Sequence, residues 1–534
     1  MFSTFLQGLI TNRTLKYITL PMTLQLRLSF DIDLDKYMNK HHPDVVAYRI
    51  LSKSLDARNA PRGKKPIYLY TLEAIKEGES FQKVHEELEK VNPPKHKPIF
   101  IGAGPAGLFG ALRLAEYGVP SIIIERGDVA GKRMLHISKY WRKGELNPES
   151  NVCFGEGGAG LFSDGKLITR IKSPLVKYVM NKFVEFGAPE EVAYLSNPHL
   201  GSNKIRKIIT IMSDRLRELG CEFIYNQKVE ELLYSDSSVV GVKLDNGQEI
   251  QSDHIILAAG HSAKNLYEHI VENDVAVKPK DFAVGVRIEH PRRYIDSVQH
   301  GKFAQELEAA RYKLTFHNRS TEKGTYSFCM CPGGYVLSSG TEEDGIVVNG
   351  MSNFARNSPW SNSALVVTVK AGEDFDESDP LNGLRFQEEI EKKAYQLSKK
   401  YASGRELPAM TLKEFLTGVI NSNELPKTSS PSKLFKADLR EVLPPFIISH
   451  LQEGLKNFDK KMEGYAYDEA LIIAPETRTS APITILRDKH TLESLSHKGL
   501  YPCGEGAGYA GGITSAAVDG IKVVESIIEQ LKNI

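Results

Sequence analysis

Glycines at positions 102, 104 and 107, written GAGPAG between an apolar run and a helix-compatible run, are residues whose spacing implies chemistry. In GxGxxG the three glycines serve separate ends: a tight turn, close approach of backbone to a diphosphate, and close packing of helix on strand. Pro105 suits the first helical position, where its missing N–H costs nothing. A pyrophosphate then lies at the positive end of the helix. Glu125, 18 residues after Gly107, ends the next apolar run, where a carboxylate reaches both hydroxyls of a ribose. A carboxylate there argues against a 2′-phosphate on the nucleotide, because like charges would meet. These features by themselves admit either NAD or FAD.

The elements that must position these residues can be read from the pattern. Residues 98–101 form a short buried strand. A helix follows to Tyr117, with Leu108, Ala111, Leu112 and Ala115 on one face, and Gly118 stops it. Residues 121–125 (SIIIE) are a second strand, which completes a βαβ unit. A further amphipathic helix carries Ile205, Ile208, Ile209, Met212, Leu216 and Leu219 and ends at Gly220; CEFIY follows as a strand. Hairpin strands turn at SDSS and DNG before the apolar run HIILAAG over residues 254–260. Residues 270–490 mix strand-like and helical stretches without an internal repeat. The chain closes on GLYPCGE, a glycine-rich loop, and a helix marked by Ala517, Ile521, Val524, Ile528 and Leu531. Ahead of the βαβ unit, residues 23–91 read as a small α/β module. It has a strand in LQLRLSFDI, a polar helix-compatible stretch, a loop over SKSLDARNAPRGKK marked by Pro61 and Gly63, and the extended IYLYTL. VNPPKHKP, residues 91–98, reads as a solvated linker.

HIILAAG resembles the strand and small–small–glycine turn found beside the dinucleotide in flavoproteins with two dinucleotide-binding domains. GLYPCGEGAGYAGGITSAAVDG is similar to their C-terminal flavin motif, with Glu505 where aspartate is commoner. More narrowly, NVCFGEGGAGLFSDGKL, PHLGSNKIRKI, FAVGVRIEHP, YSFCMCPGG, NSALVVTV, LPPFI and PETRTSAPI occur in this order in a large bacterial family of uncharacterised FAD-dependent dehydrogenases. That family looks like a distant relative of aromatic-ring hydroxylases and geranylgeranyl reductases. The resemblance runs from about Met22 to the end; Leu161 and Leu200 depart from it, standing where threonine and isoleucine are commoner.

The resemblance implies FAD and an α/β fold, with a Rossmann-like FAD-binding domain of the glutathione-reductase and aromatic-hydroxylase type. It implies a small N-terminal α/β domain over residues 22–95, an FAD-binding domain assembled from 96–270 and 495–534, and a mixed α+β substrate or cap domain over 271–494. The implied cofactor-binding set is Gly102, Ala103, Gly104, Pro105, Ala106, Gly107, Glu125, Arg126, Val229, Ala259, Gly260, Gly504, Glu505, Gly511, Gly512 and Ile513. In that set Glu505 binds a ribityl hydroxyl and the loop 508–512 lets backbone approach the flavin. The helix beginning near Thr514 aims its N–H groups at the pyrimidine edge, where a positive dipole end stabilises the anionic reduced ring. No substrate transfers with the resemblance.

Among reacting groups, the loop GEGGAGLFSDGK offers Glu156, Ser163, Asp164 and Lys166 to cover the flavin. Cys329 and Cys331 flank Met330, and strand alternation would put both sulfurs on one face as a redox relay or as packing thiols. Arg287 and Arg478 sit among apolar neighbours, where a buried guanidinium wants an anion. Either takes a substrate carboxylate or satisfies Glu476 or Glu289. The catalytic candidates are therefore Arg287, Cys331 and Arg478.

Bulk properties bound the rest. The 534 residues suit two or three domains, and 68 basic residues against 67 acidic give no electrostatic footprint for nucleic acid. The basic loop of Lys53, Arg58, Arg62, Lys64 and Lys65 lacks interleaved aromatics and reads as a solvated face. Five cysteines, odd in number and without a CxxC pair, suggest neither a metal ribbon nor a disulfide framework and fit a reducing, cytoplasmic setting. No run of eighteen apolar residues is present, so no membrane partner is expected. The first 21 residues carry Arg13 and Lys16 and no acid; they read as a flexible extension, with an organellar transit peptide as the alternative. The expected function is hydride transfer between FAD and a small organic substrate, with diffusible NAD(P)H or a partner protein as electron source. A flavin-dependent RNA-modifying protein and a non-catalytic FAD-binding sensor are the rivals.

Overall fold

The computed structural model describes residues 21–81, 88–420 and 424–533, so all but the last residue of the expected extension lies outside the described residues. The chain forms two compact units: residues 1–56 with 66–86, and residues 57–65 with 87–534.

In the first unit β1 (Met22–Ser29), α1 (Leu34–His41), β2 (Val45–Asp56) and β3 (Ile67–Lys76) make an antiparallel sheet in the order β1-β3-β2. Asp33 caps α1 by accepting the Lys36 N–H. Leu28, Met38, Tyr70 and Leu72 form its core. The loop expected from residue 52 starts later, because β2 pairs with β3 as far as Asp56↔Ile67. Lysine and serine in SKSLD hide a half-exposed strand whose pairing is set by its neighbour. Lys53, assigned above to a basic loop without aromatics, lies instead on β2 with its ammonium 4.3 Å from the centre of the Tyr68 ring.

The second unit begins with β4 (Ile99–Ile101), α2 (Pro105–Glu116), β5 (Ile122–Glu125), α3 (Ala130–Lys143), α4 (Leu175–Glu185), α5 (Gly201–Glu218) and β6 (Glu222–Tyr225). A meander of β7 (Val229–Ser235), β8 (Ser238–Leu244) and β9 (Glu249–Gln251) leads to β10 (Ile255–Leu257) and α6 (Lys264–Glu272). Then come β11 (Val277–Pro279), β12 (Phe282–Pro291), α7 (Arg292–His300), β13 (Thr315–Asn318), β14 (Lys323–Cys331), β15 (Tyr335–Ser338), β16 (Val348–Met351) and β17 (Trp360–Val369). They are followed by α8 (Asn382–Tyr401), β18 (Leu407–Thr411), α9 (Leu412–Thr417), β19 (Leu434–Lys436), α10 (Pro445–Lys461), β20 (Leu471–Glu476) and β21 (Ile483–Ile485). The last elements are β22 (Leu500–Pro502) and α11 (Ile513–Lys532).

Two sheets organise this unit. Five parallel strands run in the order β22-β10-β4-β5-β6, a Rossmann-like arrangement to which the end of the chain contributes an edge strand. Parallel strands are covered on both faces, which is why they read as unbroken apolar runs such as IFI and IIL. The other sheet has seven strands, β13-β14-β17-β12-β20-β18-β19, antiparallel except for the β18–β19 pair. Its core draws on α8 and α10 through Ile390, Ala394, Leu451 and Phe458. The mixed α+β content expected for residues 271–494 is therefore present.

Helix α2 differs from its sequence pattern. The pattern implies one buried face, whereas every residue from 106 to 115 is buried. The cause is α11, which crosses α2 at backbone contact: a Cβ on Gly520 would stand 2.1 Å from the Ala106 carbonyl oxygen. Among the described residues no helix is long and apolar enough to cross a membrane.

Candidate cofactor and substrate site

The carboxyl ends of β4, β10 and β22 lie side by side, and ligands of open α/β sheets bind outside such ends. Two kinds of glycine line this edge. Gly102 and Gly107 are close-packed: a Cβ on the first would stand 2.5 Å from the Ala258 carbonyl oxygen, and on the second 2.0 Å from that of Gly102. Gly260 and Gly511 face open space, and Gly104 and Gly512 have only one ordinary contact each. A Cβ on Gly260 or Gly511 meets nothing within 4 Å, on Gly512 only Ser515 Oγ at 4.0 Å, and on Gly104 only Gly158 Cα at 3.8 Å. Helix α2 starts at this edge with Pro105 in its first position, and its first internal bond is Leu108 N–H to Gly104 O. The N–H groups of Ala106 and Gly107 therefore have no acceptor in the helix. Ala106 is itself packed against the turn, with its Cβ 3.0 Å from where a Cβ on Gly504 would stand.

The two carboxylates of the edge are in different states. Glu125 is buried and accepts N–H groups of Ala103 (3.0 Å), Gly127 (2.9 Å) and Gly155 (2.9 Å). It ties the dinucleotide turn to the 155–166 loop and keeps one of its roughly four acceptor positions. Glu505 is half-buried and, among the described residues, accepts no hydrogen bond; the nearest cation-forming group is His261 Nδ1 at 3.7 Å. Burial pushes the Glu505 carboxyl up to about 7, against the pull of Lys280. Burial, with Arg478 nearby, brings His261 down to about 4, so the imidazole is neutral and gives the carboxylate no charge.

Residues the sequence reading missed hold Glu505 in place. Asp519 of α11 accepts the Gly504 N–H (2.8 Å) and pairs with Arg487 (2.6 Å), whose guanidinium lies 3.6 Å from the Tyr509 ring centre. Tyr267 of α6 donates to the carbonyls of both Gly260 (3.0 Å) and Gly506 (2.9 Å), joining the β10 turn to the β22 turn. Lys280 donates to the Gly508 carbonyl (3.0 Å). A buried acid and a buried tyrosine on otherwise apolar helix faces were the only signals available for Asp519 and Tyr267.

The GEGGAGLFSDGK loop lies between the dinucleotide turn and α11. Gly157 N–H donates to Ala103 O (2.8 Å), and a Cβ on Gly160 would stand 2.9 Å from Ile513 Cγ1. Thr514 Oγ1 donates to Leu167 O (2.7 Å). Its polar side chains, expected to cover the flavin, are engaged within the protein. Glu156 accepts from the Ala130 N–H and the Tyr225 hydroxyl, and Ser163 donates to Gly160 O. Asp164 is ion-paired with buried Arg356 and accepts from Ser352, and Lys166 donates to the Met330 carbonyl. The loop thus offers backbone rather than side chains. Arg126 is likewise paired, with Glu149 (2.6 Å), and Val229 is a core residue opposite Leu244. Ala259 is partly buried against the same core as Val229.

The catalytic candidates separate. Arg287 is fully buried and directs all five N–H groups inward: two to Glu476 (2.6 Å each), and the others to Asn362 (2.8 Å), Asn349 (3.2 Å) and the Cys329 carbonyl (3.4 Å). No donor is left for a substrate. Glu289, the other acid considered for it, is held by Thr428 and Ser429. The expectation that Cys329 and Cys331 share a face is corrected. A bulge between Phe328 and Cys331 breaks the alternation, Cys329 has φ 42° and is exposed, and Cys331 is buried with its thiol donating to Cys329 O (3.2 Å).

Arg478 pairs with Glu391 of α8 (2.7 Å) rather than with Glu476 or Glu289, and donates to Thr341 (2.6 Å) and Ser262 (3.2 Å). It lines a small surface cleft of about 10 Å³ with His261, Ser262, Lys264, Glu342, Gln387 and Glu388. His261 places the cleft next to Glu505. Glycines with room before them, an open helix N-terminus and a carboxylate without a donor among the described residues have the chemistry that FAD requires.

Of the comparisons with known proteins, the family model names a cofactor class. Residues 281–479 match the model of the family described as FAD-dependent protein, C-terminal domain-like. A protein of Clostridium beijerinckii (strain ATCC 51743 / NCIMB 8052), called "Uncharacterized protein", is 40% identical over 534 residues, covering 95% of this chain and 98% of its own. Protein FixC of Escherichia coli (strain K12) is 30% identical over 202 residues, 37% of this chain and 44% of FixC. Of solved structures, the flavin-dependent brominase Bmp2 aligns over 83% of this chain and 80% of its own at 11% identity with a TM-score of 0.37, and no argument rests on so low a score.

Proposed function

The chain belongs to the FAD-dependent flavoprotein family that carries this C-terminal domain, and from that premise we propose that it is an oxidoreductase holding FAD along the β4–β10–β22 edge. Bound there, FAD supplies two-electron chemistry with a small organic substrate, and diffusible NAD(P)H is the proposed electron source. The observation that carries the reading is Glu505. This half-buried carboxylate has no hydrogen-bond donor among the described residues, and a ligand hydroxyl would stabilise it. The N-terminus of α11 beside it favours negative charge on a ligand. Arg478 orients a polar substrate in the adjoining cleft through its remaining N–H, while Glu391 keeps the guanidinium fixed.

Purified protein incubated with FAD and desalted is expected to stay yellow, and Glu505→Ala to weaken FAD binding. Stopped-flow mixing with NADH or NADPH is expected to bleach the flavin. Protein that remains colourless ends the cofactor reading. Bound flavin that neither nucleotide bleaches ends the NAD(P)H assignment. Arg478→Met is expected to lower turnover with FAD still bound; unchanged turnover on an identified substrate removes Arg478 from the site.

A further inference from the structure

We propose that Arg133 is a positioning residue for the dinucleotide: it holds the 151–158 loop against the β4–α2 turn and supplies the buried positive charge beside which a diphosphate lies. The inference rests on the reading that FAD occupies that turn.

Arg133 is in the first turn of α3, the helix after the strand that ends in Glu125, and its side chain is fully buried. Among the described residues it has no ion-pair partner. Its contacts all go to main-chain carbonyls: Nε to Asn151 (2.7 Å), Nη2 to Val152 (2.6 Å), and Nη1 to Glu156 (2.9 Å), Gly158 (2.9 Å) and Gly155 (3.3 Å). The guanidinium carbon stands 4.8 Å from the centre of the Phe162 ring. Glu125 and Glu156, the nearby acids, direct their oxygens to backbone N–H groups and to Tyr225. A buried charge without a counter-ion is strongly unfavourable, and carbonyl dipoles offset only part of that. Burial draws the guanidinium down to about 10, although Glu125 and Glu156 pull it the other way. An anion nearby restores the balance.

The loop's shape follows from this residue. Five carbonyls turned in on one guanidinium leave N–H groups of the same segment to bond outward, Gly155 to Glu125 and Gly157 to Ala103 O (2.8 Å). The fit is close. A Cβ on Gly155 would stand 2.5 Å from Arg133 Cδ, and one on Gly158 would stand 3.0 Å from Gly104 Cα. The cation is therefore one peptide away from the glycine left open at the dinucleotide turn. A loop brace alone needs no charge, whereas a diphosphate does, and the two roles separate by ligand.

Full-length protein stripped of cofactor is titrated calorimetrically with FAD, ADP and riboflavin, with melting curves recorded in parallel. Arg133→Met is expected to weaken FAD and ADP by about 100-fold, the equivalent of losing one or two charge-assisted hydrogen bonds, and to leave riboflavin unchanged. Arg133→Lys keeps the charge and is expected to recover about tenfold of that loss. Gly155→Ala displaces the side chain while keeping its charge, and is expected to weaken ADP as well. Arg133→Met with wild-type ADP affinity, or with riboflavin weakened in the same proportion as ADP, overturns the proposal. Should Arg133→Met not fold, wild-type ADP affinity in Gly155→Ala overturns it. Wild-type protein that takes up no FAD overturns the underlying reading instead, a different result from any of these.

Discussion

The parallel and antiparallel sheets differ in how they hold particular charged groups. In the antiparallel region charges are closed on one another: Arg287 on Glu476 and Asn362, and Glu289 on Thr428 and Ser429. Along the parallel edge they are left open. Among the described residues Glu505 has no donor and Arg133 no paired carboxylate, and Gly260 and Gly511 face open space. A buried polar group costs stability unless it is completed, so a ligand bringing hydroxyls and negative charge to this edge would stabilise both groups. The first set of charges holds the fold together, and the second lies where we propose that the cofactor binds.

The comparison can be broken most sharply at the closed pair. Arg287→Met leaves Glu476 buried and uncompensated, and a loss of about 3–5 kcal/mol of unfolding free energy is expected in urea titrations, with FAD affinity of the folded fraction unchanged. Stability retained but FAD lost would reverse the assignment of the two regions. A smaller contrast lies within the glycine motif. Gly107→Ala puts a methyl onto the Gly102 carbonyl and is expected to prevent folding or lower the melting point strongly. Gly104→Ala is expected to melt within about 0.5 kcal/mol of wild type while binding FAD about tenfold more weakly. Equal melting points for the two variants would show that Gly104 is not reserved for a ligand.

Acidity sharpens the comparison further. Burial raises Glu505 to about 7, and hydroxyls donated by a ligand favour its anion. Binding then releases a proton, so FAD affinity is expected to rise as pH increases through about 7 and to level off above it. Glu505→Gln should flatten that profile in flavin fluorescence titrations; a profile that keeps its slope assigns the proton elsewhere. The smallest effect is expected at the cysteines. Because the bulge breaks the alternation and leaves Cys329 exposed and Cys331 buried, Cys329→Ser should leave flavin reduction rates unchanged, and a marked slowing would restore the relay.

Much of the nucleotide half was legible because its signals are local. A strand, three glycines, a helix and a terminal acid all lie between Ile99 and Glu125, and each follows from the geometry of one turn. The second strand of the N-terminal unit was not legible in full, since its alternation is set by pairing with β3 rather than by its own composition. Arg287 and Arg478 looked equivalent by neighbourhood, yet one meets Glu476 and the other Glu391, acids separated by 85 positions in the chain. The flavin-loop side chains were read as available because a sequence shows a polar residue but not its partner.

The order of apolar and glycine residues by itself determined that a βαβ turn forms at residues 99–125 and that the chain ends in a strand and helix of the same fold. Those outcomes depend on backbone conformation and on neighbours a few positions away. Only the tertiary structure decided which charges are closed and which remain open. Whether Arg133, Glu505 or Arg287 has a counter-ion depends on residues brought together from far apart in the chain, and local pattern carries no record of that distance.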